Sequence, residues 1–107
     1  MSSNLTRSPQ LGAALALVEL LREHPELELA SWSVDPVRGS LHGFVQEESR
    51  DAVAAYAEVL GGEVEQGLSY AFEGHTVTPF RLSVVWRDVP VSVSGTVPLA
   101  KLMGRAA

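Results

Sequence analysis

The chain predicts an α+β fold: a two-layer domain with a mostly antiparallel sheet of about five strands and two helices on one face. Three observations lead there. Two segments repeat apolar residues at intervals of three and four, the spacing of a helix with one buried stripe. The stretches around them alternate apolar and polar residues, the spacing of a strand with one wet face. The connections between the last strands are short, which fits antiparallel neighbours. One stripe per helix and one apolar face per strand are buried most economically by laying the helices on the sheet. The order is helix, two strands, helix, three strands. With 107 residues the chain supports one core. Its organisation reads as a flexible N-terminus over 1–8, a single domain over 9–97 and a C-terminal tail over 98–107.

The first helix runs from Pro9 to Glu23. Ser8 supplies an N-cap hydroxyl and Pro9 suits the first helical position. Leu11, Ala14, Leu15, Val18 and Leu21 form the expected buried stripe, widened by Leu17 and Leu20. Pro25 disfavours helical geometry at His24, so the helix stops there. Ala30, Trp32 and Val34 then alternate with Ser31, Ser33 and Asp35. Asp35-Pro36-Val37-Arg38-Gly39 is turn chemistry, with proline fixing φ and glycine permitting its positive values. A less regular strand over 40–46 returns, in which Gly43 marks a bulge or a close contact.

The second helix spans 47–60. Glu47, Glu48 and Asp51 fall in its first turn, where negative charge complements the helix dipole. Val53, Tyr56, Ala57 and Leu60 form its stripe, and Gly61-Gly62 ends it. Three strands follow. Val64, Leu68, Tyr70 and Phe72 share the face of the first. After a turn at Glu73-Gly74-His75-Thr76, Phe80, Leu82, Val84 and Trp86 share the face of the second. Beyond Arg87-Asp88, Val89, Val91, Val93 and Val97 share the face of the third. Pro79 and Pro90 lack an amide donor, which places them at strand ends or an edge. The expected core sets Val64, Leu68, Phe80, Leu82, Val84, Val91 and Val93 beneath Leu15, Val18, Val53, Tyr56 and Leu60. The residues after Val97 read as a frayed tail or a short helical turn.

Composition narrows the function. The chain contains no cysteine, which excludes disulfides, thiolate metal sites and cysteine nucleophiles and fits a reducing, cytoplasmic compartment. No apolar run has the length of a membrane span, and the first residues lack the layout of a signal peptide. The net charge of −5 argues against general nucleic-acid binding, which needs a basic face. The charges divide unevenly, with a balance of −8 over residues 1–73 and +3 over 74–107, an asymmetry that can steer a partner or order protomers head to tail.

Catalytic signals are sparse. His24, His42 and His75 are widely spaced and lack the close pairing of zinc motifs. His24 sits where a helix C-terminus favours a cation. Glu63 and Glu65 share a strand face about 7 Å apart, a separation glycosidase carboxylates also use, although on an acidic surface such a pair is ordinarily solvated. No serine lies in a nucleophile elbow, and Gly61-Gly62 lacks the lysine and spacing of a phosphate loop. Trp32, Tyr70, Phe72, Phe80 and Trp86 lie on apolar strand faces and read first as core. A tryptophan outside the helices' reach would instead be an interface anchor.

Several stretches together are similar to known sequences: Leu11-Gly12-Ala13-Ala14-Leu15-Ala16-Leu17-Val18 with His24-Pro25-Glu26-Leu27, the Trp32 strand with Asp35-Pro36 and Gly39, Tyr56-Ala57-Glu58-Val59-Leu60-Gly61-Gly62, and Trp86-Arg87-Asp88-Val89-Pro90-Val91. Over roughly residues 9–97 the chain resembles small uncharacterised proteins of high-GC actinobacteria, some from phage-like or integrative elements. The resemblance implies a small cytoplasmic accessory protein and attaches no catalytic or binding residue.

The sequence thus favours a non-enzymatic interaction or regulatory accessory protein without a cofactor or metal. Its partner would be another protein or a second copy in a homodimer, engaged through a sheet face, a sheet edge or the acidic second helix. The binding candidates are Glu47, Glu48, Asp51, Glu63, Glu65 and Trp32. One alternative is a small-molecule or peptide-binding module with a pocket near Trp32 or Tyr56. Another is an acidic anti-defence or DNA-mimicking protein presenting those carboxylates, with Glu58, to a basic partner. An enzyme ranks last.

Overall fold

The computed structural model describes residues 8–103. The expected flexible N-terminus, apart from Ser8, and the last four residues of the expected tail lie outside them. The protein is α+β, with a mixed open sheet of six strands and three helices. Helix α1 covers Pro9–Glu23, β1 Ala30–Asp35, β2 Ser40–Val45 and α2 Arg50–Leu60. Strand β3 covers Glu65–Gln66, β4 Tyr70–Phe72, β5 His75–Trp86, β6 Val89–Pro98 and helix α3 Leu99–Met103. Across the sheet the order is β1-β2-β6-β5-β3, and β4 pairs with β5 beyond the end of β3.

Local chemistry explains the helix boundaries. Ser8 Oγ accepts the Leu11 amide at 3.0 Å, and His24 closes α1 by donating its N–H to the Leu20 carbonyl. Helix α2 starts three residues later than the acidic run suggests. Ser49, in extended conformation, takes the cap and accepts from the Asp51 amide. Only Asp51 of the three acids is therefore in the first turn, and Glu47 and Glu48 belong to the preceding loop. A serine cap uses its hydroxyl on a free amide of the first turn, a local bond that a long glutamate does not replace.

The sheet departs from the expected one in two ways. It has six strands, because the segment expected as one strand around Val64–Phe72 is broken into β3 and β4. Pro79 explains the break. It lies inside β5, not at an end, and its carbonyl accepts the Gly67 amide at 2.9 Å on the β3 side. The N–H and C=O of one strand residue point to the same side, so the donor that proline lacks is missing where the neighbouring strand fails. Pro90, by contrast, is the second residue of β6. The sheet is also mixed: β2 and β6 run parallel, while the other pairings are antiparallel. Valine-rich β6 lies between β2 and β5, and its apolar residues Val89, Val91, Val93 and Val97 are buried. Of the two readings of the residues after Val97, the short helical turn is the one seen, as α3 over Leu99–Met103.

The core gathers residues of α1, α2 and the sheet. Leu20, Leu41, Val53, Tyr56, Phe80, Leu82 and Val93 are at its centre. Val64 and Val84 are half-buried against it, but Leu68 is 90% exposed beside the break in the edge strand. Helix α1 buries the Leu17 and Leu20 margin of the expected stripe and turns the rest of that stripe outward. Ala13, Ala16 and Leu20 are buried, whereas Leu11, Leu15, Val18 and Leu21 are 46–54% exposed. The small alanines let the helix axis approach β1, β2 and β6 closely, which a leucine face would prevent. The helix is also held at its flank. Arg87, in the β5–β6 turn, donates to Glu19 at 2.8 Å and to Glu23 at 2.8 and 2.9 Å, with its guanidinium stacked on the Trp86 ring.

Candidate functional site

A concavity lined by a residue with an unexplained polar atom lies where α1 ends, β1 begins and α2 crosses. Trp32 is its floor. On β1 it stands opposite Gly43 of β2, and only glycine fits there, because a Cβ would lie 2.7 Å from the indole. Of the two roles open to Gly43, close contact is the one it fills. The edge of one aromatic ring meets the face of the other between Trp32 and Tyr56, with centroids 6.0 Å apart and planes at 65°. Tyr56 donates its hydroxyl to the Glu28 carbonyl at 2.6 Å, which ties α2 to the segment entering β1. Burial, with the Glu28 charge a lesser cause, pushes the Tyr56 phenol above its ordinary value.

Between these groups is a cleft of about 290 Å³. Leu20 and Leu21 come from α1 and His24 caps it, Pro25, Leu27, Glu28 and Leu29 belong to the following loop, and Ala30, Trp32 and Tyr56 complete it. Leu29, 80% exposed, is among the most solvent-accessible large apolar side chains of the protein. Trp32 Nε1–H is buried and has no acceptor among the described residues. A buried donor without a partner is costly, and such groups are uncommon in folded proteins. The cleft therefore has apolar walls, and the ring that lines it carries one buried, unused donor, a chemistry suited to an apolar group with a carbonyl or another acceptor where the ring shifts to meet it. Beside it, β1 ends the sheet order, so among the described residues its outer edge has no strand partner.

Of the sequence candidates, Trp32 alone lines this cleft. Glu47 and Glu48 are exposed in the loop after β2, and the Glu48 carbonyl accepts from Lys101 Nζ at 2.9 Å. Asp51 is exposed on α2, Glu63 in the loop after it, and Glu65 on β3 opposite Arg81 of β5. Glu65 is thus on the sheet edge away from Trp32. No group of three His, Asp or Glu side chains converges for a metal among the described residues. The loop residues Leu27 and Leu29 were missed by the sequence reading. Two leucines between a helix stop and a strand start, with no periodicity to bury them, were the available signal.

No protein-family model, curated protein or solved structure matches the chain. Among the described residues, no helix is long and apolar enough to cross a membrane.

Proposed function

We propose that this is a non-enzymatic interaction protein of the cytoplasm that captures an extended peptide segment of a protein partner along the open edge of β1. In this reading α1 and α2 form one layer over the sheet, and the cleft is the gap between that layer and β1. An apolar side chain of the peptide enters beside Leu21, Leu27 and Leu29, and an acceptor on the peptide takes the Trp32 N–H. Main-chain pairing supplies affinity in such strand addition and the side-chain pocket supplies selectivity. The observation that carries the proposal is an apolar cleft lined by Trp32, whose buried indole N–H has no acceptor among the described residues, next to an unpaired strand edge.

Selection from a displayed library of random peptides tests it. Enriched peptides should share a large apolar residue and bind the wild type at least about tenfold more tightly than Trp32→Phe, a difference of about 1.4 kcal/mol. Peptides that bind Trp32→Phe equally well would refute the role of the indole donor.

Self-association is the second reading, favoured by the exposed row Leu11, Leu15, Val18 and Leu21 on α1. An apolar row of this kind is commonly covered by a partner, and two-fold dimers are the commonest assemblies. Light scattering that returns the mass of one chain at high concentration would remove it.

A further inference from the structure

The sheet face turned away from the core carries a second concavity. Residues of opposite parity to the core point there, and the register aligns Ser33, His42, Ser92 and Ser83 in one row across β1, β2, β6 and β5. His42 joins its neighbours through both ring nitrogens. Nδ1 lies 2.7 Å from Ser92 Oγ and Nε2 3.1 Å from Ser40 Oγ. In either neutral tautomer one of these nitrogens donates and the other accepts, so the serines are held in defined orientations. Arg38 approaches from the β1–β2 turn and Arg81 from β5, and with Ser83, Pro90 and the strand segments at Leu41, Val84 and Val91 they line a cup of about 340 Å³ whose walls are largely apolar.

The charges in the cup are unbalanced. Neither Arg38 nor Arg81 forms an ion pair among the described residues, although Glu65 stands opposite Arg81 in the register. The nearest turn carboxylate, Asp35, is engaged elsewhere: its Oδ1 accepts the Val37 and Arg38 amides at 2.9 and 3.0 Å. Those bonds hold its carboxyl below the ordinary range and fix the turn that presents Arg38. On a protein of net charge −5, a depression with two unpaired guanidiniums and three hydroxyls is a local reversal of sign.

We propose that this cup binds the phosphate group of a small phosphorylated molecule between Arg38 and Arg81, with Ser83 and whichever of Ser40 and Ser92 accepts from His42 donating to its oxygens. A phosphate accepts from several directions at once, which matches two guanidinium forks and a row of hydroxyls lining one concavity. A carboxylate offers only two oxygens in one plane and leaves donors unused. The cup is larger than inorganic phosphate and at the lower end of ligand-pocket volumes, which leaves room for a small organic body. It lies on the sheet face opposite the Trp32 side chain, so it is independent of the peptide reading.

The test is an amide chemical-shift titration of the whole chain with inorganic phosphate and with phenyl phosphate, against benzoate and sodium chloride at matched ionic strength. Saturable shifts centred on His42, Ser83 and Ser92 are expected with both phosphates. Arg38→Gln and Arg81→Gln should each weaken phenyl phosphate by about tenfold, and Arg22→Gln, on α1, should leave it unchanged. Both arginines are exposed, and Ser83→Ala provides a third variant, expected to weaken binding by a smaller factor. Shifts no larger than those from sodium chloride would overturn the proposal. So would equal affinity for benzoate, or arginine variants that bind as the wild type does. Tighter binding of a short single-stranded oligonucleotide than of phenyl phosphate would overturn the assignment to a small ligand.

Discussion

Gly43→Ala is the sharpest probe of how the Trp32 cleft is built. The added methyl would lie 2.7, 2.8 and 2.9 Å from three carbons of the indole six-membered ring, where ordinary carbon contacts are about 3.5–4.0 Å. The ring must therefore retreat by about 1 Å. The ring of Tyr56, itself fully buried and bonded to Glu28, stands in edge contact with it. Overpacking of this kind costs about 1–3 kcal/mol. In the Trp32→Phe background the clashing carbons are absent. There alanine in place of glycine removes backbone freedom from the unfolded chain, a gain of roughly 0.5–1 kcal/mol within a strand. Gly43→Ala should thus destabilise the wild type and be neutral or stabilising when combined with Trp32→Phe, a coupling of at least about 1 kcal/mol. Urea unfolding followed by far-ultraviolet circular dichroism gives all four stabilities without relying on the tryptophan signal. Equal costs in the two backgrounds would refute the contact as the reason for glycine.

Four further outcomes follow from the same structure. Leu82→Ala, at a fully buried position facing Val93 across the ladder, should cost about 2–5 kcal/mol in denaturant unfolding, and a cost below about 1 kcal/mol would displace it from the core. Gly12→Ala, on α1 with nothing within 4 Å of the new methyl, should stabilise by about 0.4–1 kcal/mol, and a loss in thermal unfolding would contradict the exposed placement. The Arg87 hydrogen bond holds Glu23 below its ordinary 4.5, so that pair's contribution is present above 4.5 and disappears as pH falls through the lower folded value. Arg87→Gln should remove this part of the acid dependence of stability, and unchanged acid melting curves would count against the clamp. Leu15→Glu should leave stability within about 0.5 kcal/mol while reducing any self-association seen by light scattering, and a large loss of stability would return Leu15 to the core.

The elements that the sequence made legible are those whose signals are local. Ser8, Pro9 and Pro25 bracket α1 because capping and steric exclusion act within one turn. The Glu73-Gly74 and Arg87-Asp88 turns have positive φ at both residues, as tight hairpins require. Valine alternation in β6 reported its buried face. What stayed hidden depends on partners far along the chain. The parallel pairing of β2 with β6 joins residues about fifty apart and leaves no mark on either strand. The orientation of α1 followed size rather than hydrophobicity. Its leucines and its alanines both form helical stripes, and the sheet's need for close approach chose the alanines. The strand break opposite Pro79 was readable in principle, since a missing donor acts on its neighbour as well as on its own strand. Of the site, Trp32 and the position of a pocket near Tyr56 were legible. The unused indole donor depends on the three-dimensional arrangement around the ring.

The indole N–H resonance of Trp32 tests the central proposal most directly. In the Trp86→Phe background it is the only such signal, since the chain holds two tryptophans. Titration with a library-selected peptide should move it downfield and saturate with the same affinity as shifts along β1, as a donor that gains an acceptor does. Saturable peptide binding that leaves the Trp32 indole signal in place would contradict the cleft as the peptide site.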